Sequence, residues 1–360
     1  MRVLVPIYNN ELFIREVIKS YTSLCEVGTS FENFWMTKGD YEIIHLHWPE
    51  YLFKWQVPTD LELILLERIL KEWSAKGAKI VITRHNYLPH QPNPEQFEQL
   101  YQTTYTHADA IIHLGQFSIQ EYQDRYKFSF NKNQTHAYIP HPIFTQYPNA
   151  VSRIEARKKL NIGKDTVVML VFGEVRKASE KNLILKSFDV LEAKDKLLIV
   201  PRWKFSLEKE PVNRLKWFKI MNSKRYRLFD EFVRDDEVQY YFNASDFVFL
   251  PRLDTLNSGV PFLAAVFSKP VVGVGTGNVG EFLQAINMPT FSELDEGSLA
   301  KALKNVMDIH EAEKYYASIT KSHSSSEIGD KHFQFFKQIS STKRPNVNTI
   351  GHNLCNHTRL

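Results

Sequence analysis

Two turns in the second half of the chain have the composition of a phosphate site. In the first, an apolar run at residues 167–172 ends at Gly173, and Arg176 and Lys181 follow at the entry to a predicted helix. Glycine permits a tight turn, and the unpaired N–H groups at a helix start attract phosphate, to which Arg and Lys add full positive charge. Because a single glycine is a weaker signal than a GxGxxG motif, an ordinary strand–helix turn with surface basic residues is the alternative.

The second turn consists of Asn257, Ser258 and Gly259, and it follows the apolar run at residues 246–250. Asn257 or Ser258 could cap the next helix, or the backbone of the turn could approach a diphosphate. Both turns come at the carboxyl ends of predicted parallel strands, which meet at the sheet edge where open α/β sheets bind ligands. Together the two turns favour an anion site.

The first half of the chain supplies titratable side chains in two short segments after predicted strands. His47 and Glu50 lie in a His-Trp-Pro-Glu run, and His85 and His90 lie in a His-Asn-Tyr-Leu-Pro-His run. Such groups can take a proton from a reacting hydroxyl, and Glu50 and His85 are the favoured bases. The alternative is that Trp and Pro shape the turns while the histidines satisfy backbone carbonyls.

A basic and aromatic stretch starts at Arg202 and continues to residue 227. A helix with solvated charges explains it most simply, and a phosphate-facing rim or a membrane-surface patch are the functional interpretations. The acidic pair Asp235 and Asp236 is explained by a helix start, where negative charge complements the dipole. We therefore expect positive side chains and helix dipoles, not a metal, to neutralise a bound anion.

Short apolar runs alternate with amphipathic segments, which predicts βαβ units and parallel sheets. The predicted strands are residues 2–7, 41–46, 79–83, 110–114, 136–139, 167–172, 196–200, 246–250 and 270–274. The predicted helices lie near residues 11–24, 59–76, 94–106, 118–126, 183–191, 259–267, 296–307, 311–318 and 330–339. Prolines 140, 142 and 148 interrupt this alternation and indicate a linker. We predict an α/β protein of two Rossmann-like domains, residues 1–145 and 150–340, with a cleft between them and a flexible tail at 341–360.

The composition is that of a globular chain: 360 residues, 43% hydrophobic and 24% charged. The net charge of +4 is too weak to indicate a nucleic-acid-binding protein, for which a concentrated basic patch is expected. The two cysteines are far apart, which argues against a zinc site or a disulfide framework. Without a signal-peptide pattern or an apolar run of membrane-spanning length, we expect a cytoplasmic protein with at most peripheral contact at the inner membrane face.

These patterns resemble the glycosyltransferases of the GT-B fold, in which two Rossmann-like domains enclose the donor. Over residues 167–283 the similar features are Phe-Gly, Arg and Lys after one strand, then Ala-Ser-Asp, Phe-Val-Phe-Leu-Pro, Asn-Ser-Gly, Lys-Pro-Val-Val and a glycine-rich loop before a Glu. The His-Trp-Pro-Glu and His-Asn-x-x-Pro-His runs are similar to stretches of bacterial capsule and exopolysaccharide enzymes, the group 1 or family 4-like glycosyltransferases.

The resemblance implies how a donor would bind. Arg176 and Lys181, beside Gly173, would hold the donor diphosphate, and the turn at residues 257–259 would cap it. From the basic and aromatic stretch we add Arg202 to the predicted donor-binding residues, as part of a phosphate-facing rim. Retaining members also carry a pair of glutamates, but Thr255 and Leu263 occupy those places here.

Two acidic residues remain as substitutes for the missing glutamates. Asp254 is one residue from the first place, and Glu281 is available for a ribose or sugar contact. Retention or inversion at the transferred carbon therefore stays open.

We expect a metal-independent hexosyltransferase without a cofactor. It would move a sugar from a nucleotide-diphosphate sugar to a saccharide or lipid-linked saccharide in surface polysaccharide synthesis. Cleft closure would complete the site. Two alternatives stay open: a non-hydrolysing nucleotide-sugar epimerase, and a degenerate, non-catalytic binder of sugars or nucleotides.

Overall fold

The computed structural model describes residues 1–7, 12–89, 94–126, 134–205, 214–293 and 295–342. Within these ranges the chain forms two six-stranded sheets, each built only from parallel strand pairs. Helices connect successive strands, as parallel pairing requires. The predicted α/β fold of two Rossmann-like units is confirmed.

The first sheet is formed by residues up to Tyr138. Its strands are β1 (Arg2–Leu4), β2 (Glu26–Gly28), β3 (Ile43–Leu46), β4 (Lys79–Arg84), β5 (Ala110–His113) and β6 (Thr135–Tyr138). Its helices are α1 (Leu12–Tyr21), α2 (Phe31–Trp35), the 3₁₀ helix Pro49–Phe53, α3 (Asp60–Ala75), α4 (Pro94–Thr106) and α5 (Gln116–Tyr126). The strand order is β2-β1-β3-β4-β5-β6.

The second sheet is formed by residues after the proline-rich connection. Its strands are β7 (Val167–Leu170), β9 (Lys196–Val200), β11 (Tyr226–Leu228), β12 (Phe247–Phe249), β13 (Val271–Val274) and β14 (Thr290–Phe291), in the order β11-β9-β7-β12-β13-β14. β8 (Glu174–Val175) and β10 (Arg202–Trp203) form a separate short parallel pair. The helices are α6 (Arg153–Lys159), α7 (Ala178–Val190), α8 (Arg214–Met221), α9 (Val238–Ala244), α10 (Val260–Val266), α11 (Gly277–Ala285), α12 (Glu296–Met307), α13 (Ala312–Thr320) and α14 (Ser325–Ser341).

Each sheet is buried on both faces. Along β3, Ile44 and Leu46 pack into one apolar cluster and Ile43 into another, as the two-residue period of a strand requires. In β7, Val168 and Leu170 face one cluster while Met169 faces the other. Strands that are buried on both faces have continuous apolar sequences, and for this reason these strands could be predicted.

The predicted elements are observed with ends that differ by a few residues, and several short ones were not predicted. These are β2, α2, the 3₁₀ helix, α6, β8, β10, β11, α11 and β14. All but α11 span from two to seven residues, so they carry too little periodicity to be predicted from the sequence. The glycines of α11 indicated a loop instead.

The last helix, α14, returns to the first sheet. Ile328, Phe335 and Phe336 are buried in the cluster that also contains Val3 and Tyr21. A Cβ atom on Gly329 would lie 1.9 Å from the carbonyl oxygen of Ser20, so glycine is needed for this close approach to α1. By packing, α14 belongs with the first unit, whereas the sequence-based limits group residues up to 340 with the second. Most of the predicted flexible tail, residues 343–360, lies outside the described residues.

Candidate active site

A cavity of about 610 Å³ separates the two units at the carboxyl ends of their central strands. The first unit contributes Trp48, Glu50, Trp55, Asn86 and Pro89, and the second contributes Glu174, Arg176, Arg252, Thr255 and Asn257. The structure therefore brings together residues from the predicted catalytic group and from the predicted donor group. His90 lies outside the described residues.

The positive side of this cavity is organised around Glu174, directly after Gly173, whose φ of +99° is in the range that favours glycine. The Glu174 carboxylate accepts hydrogen bonds from Arg176 Nε at 2.9 Å and Arg202 Nη2 at 2.5 Å. Its main-chain carbonyl accepts a bond from Arg252 Nη2 at 3.1 Å. Three guanidinium groups thus converge on one strand–helix turn.

Glu174 and Arg252 were not among the predicted site residues. Glu174 follows the predicted glycine, and Arg252 lies three residues after the end of β12, so both occupy positions where functional side chains are expected. A second cavity of about 510 Å³ shares Arg176 with the first, and is also lined by Phe172, Gly173, Arg202 and Phe232. The arginine cluster therefore faces both spaces.

Lys181 does not join this cluster. It lies inside α7, fully buried, and its Nζ donates to the carbonyl oxygen of Lys204 at 2.6 Å. The ammonium also lies 5.2 Å from the ring centre of Trp203. The position of Lys181 on α7 directs its side chain into the protein. Arg252, not Lys181, lines the cleft.

The Asn257–Gly259 turn lies at the junction of the two units. Asn257 Nδ2 donates to the carbonyl oxygen of His85 at 2.6 Å, and Asn257 Oδ1 accepts from Asn278 Nδ2 at 2.7 Å. Ser258 Oγ accepts from the backbone N–H of Val260 at 3.3 Å, which is a local contact at the start of α10. A Cβ on Gly259 would be 3.3 Å from the Phe144 ring. The turn thus bridges the units as well as bordering the cavity.

Glu281 caps a helix of the other unit. Its carboxylate accepts hydrogen bonds from the backbone N–H groups of Gln116 at 2.9 Å and Phe117 at 2.6 Å, the first two residues of α5. Asn278 Oδ1 accepts from the third, Ser118, at 3.0 Å. The negative charge at this helix start also complements the dipole of α5. Glu281 therefore joins α11 to α5 and is not among the residues that line the cavities described above.

Asp254 lies at the cleft rim and forms an ion pair with Lys177. The pair borders a third cavity of about 420 Å³ together with Tyr87 and Arg125. The acidic pair Asp235 and Asp236 is exposed, and Asp236 accepts from Arg234 Nε at 3.1 Å.

The predicted histidines form a buried network behind the cleft. His47 Nδ1 and His85 Nε2 are 3.0 Å apart, so one donates to the other. The His85 ring stacks on Trp48 with centroids 3.8 Å apart. Burial lowers the pKa of both imidazoles well below the usual value, so both are neutral near pH 7.

Glu50 is the second residue of the 3₁₀ helix after β3 and is fully buried in the cavity wall. Burial raises the pKa of its carboxyl to about 7, against the opposing effect of hydrogen bonds that include one from Tyr101. Tyr101 Oη donates to Glu50 Oε2 at 3.0 Å, while Oε1 has no hydrogen-bond partner among the described residues. A carboxyl with this pKa exchanges protons readily at neutral pH.

The basic and aromatic stretch includes α8, whose Leu215 and Phe218 are exposed. In the part of the chain that the structure covers, no helix is both long enough and apolar enough to cross a membrane. Across the same described ranges, no group of three or more His, Cys, Asp or Glu side chains could hold a metal ion.

The fold is similar to several solved structures. HepE of Anabaena in complex with UDP-glucose matches with a TM-score of 0.68 and 13% identity over 94% of this chain and 100% of that chain. A glycosyltransferase from Rickettsia africae matches with a TM-score of 0.65 and 12% identity over 95% and 99% of the two chains. A Listeria monocytogenes protein named for UDP-N-acetylglucosamine 2-epimerase activity has a TM-score of 0.55 and 12% identity over 96% and 98%.

No protein-family model matches the chain, and no curated protein matches its sequence. The structural matches extend over nearly the full length of both partners, so they cover both six-stranded sheets and the way they are joined. The chain therefore has the GT-B fold, the two-unit architecture of the glycosyltransferases that it resembles in structure.

Proposed function

We propose that this protein is a glycosyltransferase that moves a hexosyl group from a nucleoside diphosphate sugar to a saccharide acceptor. The observation that carries the proposal is the cluster of Arg176, Arg202 and Arg252 around the turn after β7, facing Glu50 across the same cleft. HepE, which shares the fold, has been solved with UDP and with UDP-glucose, which supports a nucleoside diphosphate donor.

The arginine cluster provides the charge that a leaving diphosphate requires. When the bond between the sugar carbon and the diphosphate oxygen breaks, negative charge develops on that oxygen, and preorganised guanidinium groups stabilise it. Glu174 fixes the directions of Arg176 and Arg202 before the donor binds. Because these groups supply full positive charge, we propose that the transfer needs no metal and no cofactor.

Glu50 is the proposed base. The acceptor oxygen forms a bond to the sugar carbon as the diphosphate leaves, and the hydroxyl proton passes to the Glu50 carboxylate. Its pKa of about 7 lets it accept that proton at neutral pH and release it afterwards. His85 takes a positioning role, because its imidazole is neutral, buried and stacked on Trp48.

Epimerisation of a nucleotide sugar is the second candidate, since the Listeria protein named for that activity shares the fold. An epimerase would act without an acceptor, so acceptor dependence separates the two reactions. A place in surface polysaccharide synthesis, with a lipid-linked acceptor at the inner membrane face, is supported only by the resemblance of the histidine-containing runs.

The proposal is tested by thermal-shift titration with UDP, GDP, ADP and CMP and with their sugars. A ligand at 100 times its dissociation constant stabilises the fold by about 2.7 kcal/mol, which is readily measured. We expect one diphosphate to stabilise the wild type, and Arg176→Ala and Arg252→Ala to lose most of that stabilisation. Arg234→Ala is the matched control, because it removes an exposed arginine whose partner is Asp236.

Release of that diphosphate from the nucleotide sugar is then measured with and without saccharide acceptors. Release that depends on a saccharide supports transfer, whereas a new nucleotide sugar formed without a saccharide supports epimerisation. If none of the nucleotides stabilises the wild type, the glycosyltransferase proposal is wrong. Binding without turnover across the acceptors would favour a non-catalytic binder.

A further inference from the structure

Two tryptophans form the wall of the cleft opposite the arginine cluster. Trp48 follows β3 and Trp55 follows the 3₁₀ helix, and both line the 610 Å³ cavity that Arg176 and Arg252 also line. Their ring centroids are 5.9 Å apart and their planes are inclined by 53°. Both side chains are half-buried, so each indole is supported by the protein while part of it remains accessible.

The loop that places Trp55 is strained. Lys54 and Trp55 have φ values of 53° and 66°, so two consecutive residues with large side chains occupy the left-handed region. Backbone hydrogen bonds hold them there: Lys54 N donates to Tyr51 O at 3.1 Å, and Trp55 N donates to Glu50 O at 3.0 Å. Such strain persists where the surrounding structure enforces it, and it occurs preferentially at ligand sites.

The polar groups beside the indoles suit a sugar ring. Asn86 and Glu50 border the same cavity and offer hydrogen-bonding groups to hydroxyls, while the indoles offer flat apolar surface. One face of Trp48 is covered by the His85 ring, which fixes its orientation. A pyranose has C–H groups on its faces and hydroxyls at its edge, so it matches this combination.

The charge of the cavity argues against a cationic ligand beside the indoles. Its charged lining consists of two carboxyl groups, Glu50 and Glu174, and two guanidinium groups, Arg176 and Arg252. The cavity is therefore close to neutral, and slightly positive when Glu50 is protonated. That balance disfavours a cationic ligand of the kind that aromatic cages bind.

We propose that Trp48 and Trp55 form a stacking platform for a hexopyranosyl ring of the acceptor. The inference rests on the proposed function, because the platform lies across the same cavity from the arginines that would hold the donor. A pyranose ring could also come from the donor, so the experiment separates the two sources.

The test is saturation-transfer difference NMR with methyl glucopyranosides, galactopyranosides and mannopyranosides, in the presence of the nucleotide that stabilises the protein. We expect ring C–H signals with the wild type and about a tenfold loss of affinity in Trp55→Leu, the scale of one lost aromatic contact. Trp35→Leu is the matched control, because Trp35 is a half-buried tryptophan of the same unit that packs on Phe34 and Phe53. Trp55→Phe, which keeps an aromatic face, should restore part of the binding.

The outcomes distinguish the platform from the proposed function. If a nucleotide stabilises the protein but pyranosides give no signal, or Trp55→Leu binds them as well as the wild type does, the platform is wrong and the glycosyltransferase proposal stands. Displacement of the pyranoside by the intact nucleotide sugar, but not by the nucleotide, would assign the ring to the donor and overturn the acceptor assignment. Pyranoside binding without any nucleotide stabilisation would overturn the proposed function and the acceptor assignment with it.

If Trp55→Leu does not fold by circular dichroism, Trp55→Phe replaces it as the deciding variant. It should then weaken pyranoside binding while nucleotide stabilisation stays at the wild-type value. Unchanged pyranoside binding in that variant would overturn the platform.

Discussion

Replacing Glu281 with alanine should loosen the contact between the two units. The change removes the acceptor of the N–H groups of Gln116 and Phe117 and leaves only Asn278 at the start of α5. Loss of an N-cap costs about 1 kcal/mol, and loss of the favourable charge at a helix start costs roughly 0.3–1 kcal/mol more. We therefore expect a loss of about 1–2 kcal/mol at this contact.

Hydrogen–deuterium exchange measures this loss where it occurs. A change of 1–2 kcal/mol corresponds to roughly a 5–30-fold faster exchange of the amides at the start of α5. Glu281→Gln keeps an acceptor but removes the charge, so its effect should be intermediate. High salt should reduce the difference between the wild type and Glu281→Gln, because it screens the charge that only the wild type carries at this position.

Thr59→Ala is the control. Thr59 caps α3 within the first unit, where its side chain and that of Glu62 form a capping box. Its removal should destabilise the protein by a similar amount without changing exchange at residues 116–118. If Glu281→Ala leaves exchange there within about twofold of the wild type, the contact does not hold the units together. A selective loss of nucleotide binding in Glu281→Ala would instead support a ribose or sugar contact.

Three further substitutions test single contacts. Burial raises the Glu50 pKa to about 7 in the folded protein, whereas the unfolded chain releases this proton near pH 4.5. The free energy of unfolding should therefore fall by about 3 kcal/mol as the pH rises from 4.5 to 7. Glu50→Gln should remove this pH dependence from the free energy of unfolding measured by chemical denaturation. If Glu50 is the base, the wild-type transfer rate rises with pH through about 7, and this rise should be absent in Glu50→Gln. Lys181→Met should reduce stability but leave nucleotide binding unchanged in the thermal-shift titration, since the ammonium donates to Lys204 inside the protein. Gly329→Ala should cost roughly 1–3 kcal/mol in chemical denaturation, because its Cβ would overlap the Ser20 carbonyl; a wild-type midpoint would show that α14 does not pack on α1 as described.

The sequence alone was enough to predict the fold and to place the candidate site at one edge of the sheets. Strands buried on both faces appear as short apolar runs, and parallel strands bring their carboxyl ends to one edge of a sheet. For that reason Glu50 and Arg176, which belong to different units, could both be placed in the cleft before any contact was known.

The tertiary structure decided which charged groups face the cleft. Lys181 and Arg252 both follow predicted strands, but the rotation of α7 turns Lys181 into the protein, while Arg252 reaches the carbonyl of Glu174. Helix phase at one position depends on how the whole helix packs, which a short sequence motif does not specify.

The contacts between the units also required the tertiary structure. Glu281 and Phe117 are 164 residues apart, and nothing in either local sequence shows that one caps the other. The same holds for Gly329 and Ser20, where α14 returns to the first unit. Local periodicity determines which helices and strands form, whereas their docking depends on packing and hydrogen bonds between distant segments, and here that docking joins the two halves of the candidate active site.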